Sequence, residues 1–225
     1  MDPFFLDSLD DKSDLIPLLS LDDEARINST KIPKELSILP LKNTVLFPGV
    51  VIPITVGREK SIKLVKDNYV GRKIIGTVSQ KDTSIENPNS SHLNTIGTMA
   101  KIMRLFKMPD GTSTIIIQGL KRFKLKSFTQ TDPYFKATVA SFPEIFPKKN
   151  NDNFKALIGS LKDTALKIIK ESPKIPSEVA FAVNNIESDS FLVNFVSSNM
   201  NLKVSDKQKM LEEPSLELRT KMALK

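Results

Sequence analysis

The chain of 225 residues holds one histidine, His92, and no cysteine, which removes most of the groups that perform covalent chemistry. A Ser-His-Asp triad or a histidine metal cluster would have to use His92 in the polar loop KDTSIENPNSSHLN, where a solvated side chain is the simpler reading. The lack of cysteine excludes a thiol nucleophile, a zinc ribbon and a disulfide scaffold. A phosphate-cradling loop needs glycine amides followed by lysine, in the order G-x-x-x-x-G-K-[ST], and none of the eight glycines begins one. Serine and lysine are abundant enough for a dyad, yet no serine stands in a glycine-supported turn that would expose a nucleophile. No catalytic and no metal-binding residue is therefore expected.

Recognition chemistry remains, of two kinds. Met99, Met103 and Phe106 in IGTMAKIMRLFKM offer flexible thioethers and a ring, which suit a surface that meets many apolar sequences. A strand buried on both faces accounts for the same residues without function, with Met99 and Met103 on one face and Phe106 on the other. In GLKRFKLKSF, Arg122, Lys124 and Lys126 alternate with Phe123 and Leu125. That pattern fits a nucleic-acid surface, or a strand with a wet basic face and an apolar inner one.

The elements that position these residues follow from their periods. LPLKNTVLFPGVVIPITVG, residues 39–57, is very apolar, but Pro40, Pro48 and Pro53 break it too often for a span of about 20 residues across a bilayer. Val50, Ile52, Ile54 and Val56 share one strand face, Pro53 marks an edge, and Pro48-Gly49 turns the chain after a short strand at Val45 to Phe47. REKSIKLVKDNY reads as a surface helix with Ile62, Val65 and Tyr69 inward, and KIIGTVSQ as a strand. Pro109-Asp110-Gly111 joins two apolar runs into a hairpin, and YFKATVASF is one more strand.

Beyond Pro147 the spacing becomes helical. Phe154, Leu157, Ile158, Leu161, Ala165 and Ile168 form one face of a helix ending before Pro173, and PSEVAFAVNN forms a second. A third follows Asp189, with Phe191, Leu192, Phe195 and Val196 inward, and a fourth opens at Ser205 with Gln208 completing a capping box. SLELRTKMALK starts a fifth, with Leu218 and Met222 one turn apart, whose pattern runs to Lys225 as if truncated inside a long helix. The fold class is α+β, with a β-rich domain over 34–146 carrying one surface helix, then an all-helical domain over 147–225.

Charge is distributed unevenly. Residues 1–24 hold eight acids against Lys12, leaving 32 basic and 18 acidic groups in the remainder. An acidic, flexible leader is expected over 1–33, whose removal should leave stability unchanged. It has no basic n-region and no continuous apolar segment, so the cytoplasm is the expected location and no membrane partner is expected.

ILPLKNTVLFPGVVIPITVGREKSIKLV, followed by VSQKD, IGTMAKI, GLKRFKL and SPKIPSEVAFAVNNI, resembles the amino-terminal region of the bacterial Lon proteases from about Leu36 onward. The resemblance implies a PUA-like β domain, a small twisted sheet or pseudo-barrel, and then a helical domain. It implies a non-catalytic segment that captures exposed apolar stretches of misfolded or unstructured proteins. ATP, magnesium and the serine and lysine of the protease belong to the rest of the family's chain, so no cofactor is expected here. A homohexamer is implied only with those further domains. The alternative is a stand-alone PUA-like domain that binds nucleic acid, with DNA a candidate partner, or another protein.

Overall fold

Six strands order themselves around one long member. They are β1 (Glu35–Leu41), β2 (Val51–Val56), β3 (Ile74–Ser79), β4 (Ile96–Lys107), β5 (Ser113–Gln130) and β6 (Lys136–Ser141), in a computed structural model that describes residues 20–109, 111–149, 151–172 and 175–225. The sheet order is β2-β5-β4-β3-β1-β6, and β5 also pairs with β6. The 18-residue β5 meets β2 and β4 along its first part and β6 along its last, which closes a ring and leaves β2 outside it. Register shifts between Met99 and Ala100, Ile102 and Arg104, and Leu125 and Ser127 bend the long strands enough to allow the closure.

β2 lies at the end of the sheet, so the missing N–H of Pro53 leaves no ladder partner stranded, as its pattern predicts. β1 differs from expectation, since ELSILPL carries no clean alternation. It pairs in parallel with β3 from Ile38 to Leu41, and with β6 only from Glu35 to Ser37. Pro40 falls where β6 has already left. Val45 to Phe47 is not a strand either. These residues are buried as irregular chain, with Val45 and Phe47 facing the core shared with the helices and Leu46 the barrel. Thr98 donates to the Leu46 carbonyl at 2.6 Å, and the Phe47 carbonyl packs so close to Gly119 that any Cβ there would lie 2.1 Å from it.

Helices α1 (Leu21–Ser29), α2 (Glu59–Tyr69), α3 (Asp152–Glu171), α4 (Ser177–Asn184), α5 (Asp189–Asn199), α6 (Val204–Glu212) and α7 (Leu216–Ala223) complete the described residues. Ser20, Asn151, Ser188 and Ser215 each accept a backbone N–H three residues on, which sets the starts of α1, α3, α5 and α7. α1 corrects the expectation of a flexible leader as far as residues 20–33 are concerned. Its Ile27 is buried with Leu36, Met99, Leu120 and Phe123, Glu24 accepts from Ser188, and Lys121 donates to the Asn28 carbonyl. The remainder of that expectation, residues 1–19, lies outside the described residues. The capping box expected at Ser205 is also absent, because Gln208 is buried elsewhere.

Gln208 belongs to the junction between the two halves. It accepts from Ser79 Oγ at 2.6 Å and donates to the Ile96 carbonyl at 3.0 Å. Asn194 Nδ2 donates to the Pro48 carbonyl, and Ile145 pairs with Ser215 as an isolated bridge. One apolar cluster joins Val45, Phe47, Val50 and Ile96 of the β half to Phe154, Phe191, Leu192 and Leu211 of the helices. A continuous core thus spans the boundary expected near residue 146.

Candidate functional site

The start of α2 borders an open cleft. β2 ends at Val56, Gly57 turns the chain, and Arg58 takes an extended conformation (φ −73, ψ 134) as N-cap without a side-chain cap hydrogen bond. The first helical bond in this turn runs from Ile62 N–H to the Arg58 carbonyl, so the amides of Glu59, Lys60 and Ser61 lie beyond the intrahelical ladder. Val65 is buried and Ile62 and Tyr69 pack against the same core, as the period predicts, while Ser61 and Leu64 are buried as well.

In front of this turn lies a cleft of about 790 Å³. The half-buried Pro40 and Phe135 supply its apolar surface over the fully buried Ile38 and Leu64, and the Asn87–Ser90 and Thr131–Asp132 segments its rims. A neighbouring cleft of about 590 Å³ runs along the outer edge of β2 and shares Pro40, Gly57, Arg58 and Ser61 with the first. The Asn87–Ser90 rim is held by its own bonds. Asn89 Oδ1 accepts from Ser91 N–H, His92 Nδ1 accepts from Asn89 N–H at 3.2 Å, and Gln80 Nε2 donates to the Ile85 carbonyl. His92 is therefore a capping residue of a single 3₁₀ turn, Ser90–His92.

Charges around the cleft are largely paired. Lys60 meets Asp132 at 2.9 Å, Lys42 pairs with Glu86, and Arg58 donates to Gln80 Oε1 at 2.7 Å. Burial lowers the Arg58 pKa, with Glu86 acting in the opposite sense, while the hydrogen bond from Lys42 holds the Glu86 carboxyl below its ordinary range. Burial raises the Tyr134 phenol, and the Asp67 charge adds to it. No hydrogen-bonded nucleophile and base, and no cluster of three potential metal ligands, occurs here among the described residues.

The residues singled out from sequence separate in space. Met99 is fully buried against Phe123 and Ile38, which removes it from any surface open to a substrate. Met103 is 43% exposed, because Ile102 pairs with Ile117 and Arg104 with Ile116, which leaves Met103 as the extra residue of a bulge. The two methionines thus do not share an environment, and Phe106 is half-buried nearer the hairpin end. Lys124 and Lys126 are exposed, whereas Arg122 is buried, correcting the expected basic face. Its Nη1 donates to the Leu211 and Glu213 carbonyls at 2.9 and 2.7 Å, and Glu144 lies between it and the buried Arg219. Sequence reasoning did not single out Arg58 and Ser61, which border both clefts. The only signal for them was a serine one turn into a predicted helix, directly after a strand-ending glycine.

A family described as the ATP-dependent protease La (LON) substrate-binding domain matches residues 35–225. The Lon protease of Flavobacterium johnsoniae is 51% identical over 211 residues, covering 94% of this chain and 26% of the relative. That of Cytophaga hutchinsonii is 48% identical over 199 residues, covering 88% and 24%. The chain thus spans about a quarter of the length of these relatives. Among solved structures, the N-terminal domain of Mycobacterium avium complex Lon protease superposes with a TM-score of 0.69 at 18% identity, over 85% of this chain and 96% of that one. A Lon N-terminal domain protein from Xanthomonas campestris gives 0.59 at 15%, over 85% and 98%, and both show the shared fold. With the family matched from β1 to the last residue and relatives this similar over nearly the whole chain, the protein belongs to the LON substrate-binding domain family.

Proposed function

We propose that this chain is the non-catalytic substrate-recognition segment of a cytoplasmic, ATP-dependent Lon protease. It captures exposed apolar stretches of misfolded or unstructured proteins and passes them to ATPase and serine protease domains elsewhere in the longer protein. ATP hydrolysis, peptide cleavage and hexamer assembly belong to those domains. The observation that carries this reading is the cleft at the start of α2, where Pro40 and Phe135 offer apolar surface between polar rims. Its size suits a few residues of extended chain rather than a folded domain. Met103 and Phe106 supply a second apolar contact on the β4–β5 hairpin. A nucleic-acid surface is less favoured, because burial of Arg122 leaves only Lys124 and Lys126 of the basic triplet in solvent.

Binding of a reduced, carboxymethylated protein and of its native form, measured by fluorescence anisotropy, tests the proposal. The unfolded form should bind more tightly, with affinity changing less than about twofold across a fourfold change in salt, since few counterions are released. Asn87→Trp places an indole at an exposed rim position and should weaken capture about tenfold at unchanged Tm. Equal binding of native and unfolded forms, or a steep loss with salt, would reject this function.

A further inference from the structure

We infer that the outer edge of β2 holds its polypeptide by strand addition, pairing main chain to main chain with an extended, proline-free segment whose apolar residues alternate. The inference rests on the reading of this chain as a polypeptide receptor and names how the bound segment is held.

The backbone of β2 has one free side. Gly119 N–H donates to the Val50 carbonyl at 2.9 Å, and the register continues from Val51 opposite Gln118 to Val56 opposite Ser113. Hydrogen-bonded pairs alternate along an antiparallel ladder, so Ile52, Ile54 and Val56 bond to β5. Val51, Pro53 and Thr55 therefore turn their backbone groups away from it. No strand lies on that side, and none of these groups has a hydrogen-bond partner among the described residues. Pro53 and Thr55 are exposed and Val51 is half-buried. The edge thus offers donors at Val51 and Thr55 and acceptors at Val51, Pro53 and Thr55, spaced every second residue as the backbone of an added strand requires.

Space for that strand lies beside it. The cleft of about 590 Å³ follows this edge and is bounded opposite by residues 39–44. Two prolines keep it open. Ile38 N–H donates to the Phe135 carbonyl on the edge of β1 away from β3, so Pro40, two residues on, lies along that same edge and brings no donor. Any pairing that closed β1 on β2 would lack a donor at both Pro40 and Pro53.

Pro53 also selects the occupant. A second copy of β2, laid antiparallel with Val51 opposite Thr55, would set Pro53 against Pro53 and leave two carbonyls facing without a donor. A proline-free segment instead donates to the Pro53 carbonyl and completes two bonds each at Val51 and Thr55. Lys42 pairs with Glu86 at the rim, so the edge reads backbone rather than charge. The half-buried Pro40 and Ile54 lie alongside, which favours apolar side chains on the inner face of the added strand.

The test uses the full 225-residue chain and two fluorescent decapeptides in which leucine and serine alternate. In the second, the six central peptide bonds are esters, which keep the shape and remove the N–H. The amide peptide should bind at least tenfold more tightly, because the ester form loses the bonds it would donate to β2. By NMR, deuterium exchange at the Val51 and Thr55 amides should slow at least tenfold in the complex, whereas Ile52, Ile54 and Val56 should already be protected in the free protein. Thr55→Pro should weaken the amide peptide about tenfold at unchanged Tm, since that N–H serves no ladder bond and β2 already carries Pro53 in the same orientation. Thr55→Val keeps the N–H and should bind as wild type does. If Thr55→Pro lowers Tm, exchange at Val51 and Thr55 in the wild type decides. Equal binding of the two peptides would overturn the inference, as would a folded Thr55→Pro protein that binds like wild type, or unchanged exchange at both amides in the complex. Slowing of those amides without peptide as protein concentration rises would also overturn it, because a second copy would then be the occupant. Capture of unfolded protein with both amides unprotected rejects strand addition and leaves the proposed function intact.

Discussion

Glu144→Gln should be the most damaging single-atom change at the junction. Glu144 is the carboxylate between two guanidiniums, of Arg122 and Arg219, whose side chains are 3% and 1% exposed against its own 14%. The Arg122 pKa is lowered to about 10, chiefly by burial and next by Arg219, with Glu144 and Glu213 opposing. Because the folded value lies below the unfolded one, the buried cation opposes folding at neutral pH, and that cost is relieved only as pH rises above about 10. Removing the carboxylate charge leaves two like charges in a dry junction, for which the loss is about 3 kcal/mol. In a chain of this length that corresponds to roughly 6–12 °C in Tm. Urea denaturation of the wild type, Glu144→Gln, Arg122→Met and the double variant measures it. The double variant should recover more than about 1 kcal/mol of the Glu144→Gln loss, since neighbours in one network couple. A Glu144→Gln stability within about 0.5 kcal/mol of wild type would refute the account, because that is the range of surface changes away from packed features.

The docking of α1 is tested by Ile27→Ala, which empties a buried position among Leu36, Met99 and Phe123 and should cost about 2–4 kcal/mol by denaturation. Deletion of residues 1–33 should lower Tm by at least as much; a truncated chain with unchanged Tm would show that α1 contributes nothing to the barrel. Met99→Ser should destabilise by about 3 kcal/mol or more, through a cavity and a buried hydroxyl, whereas Met103→Ser at the exposed bulge should stay within about 0.5 kcal/mol. Met103→Ser and Phe106→Ser should each weaken unfolded-protein capture at unchanged Tm, and a fall in Tm that tracks the binding loss would place them in the core.

Period and turn chemistry settled much of the β half in advance. The inward face Val50, Ile52, Ile54 and Val56, the edge role of Pro53, the turn at Pro48-Gly49 and the β4–β5 hairpin each follow from residues close in sequence. The same holds for α3, whose apolar spacing and N-cap Asn151 are local signals. β1 was less legible because its parallel partner β3 lies more than thirty positions away and its residues do not alternate. α1 was read as part of a leader because its acidic first turn outweighs Ile27 in composition, while the cover that buries Ile27 comes from β5 and β1.

The candidate site depended still more on distant contacts. Alternation correctly put Arg122, Lys124 and Lys126 opposite Phe123 and Leu125, but a period of two says nothing about what covers a face. The segment around Leu211 and Glu213 covers Arg122 and leaves Lys124 and Lys126 in water. A bulge then separated Met99 from Met103, because one unpaired residue changes every facing beyond it. Sequence by itself determined most elements from β2 onward, the absence of a phosphate loop and the family resemblance, all carried by residue types and short-range spacing. Only tertiary structure decided that Ser61, one turn into a helix, faces a cleft bounded by Pro40, Asn87 and Asp132, since those segments are brought together by ring closure and not by proximity along the chain.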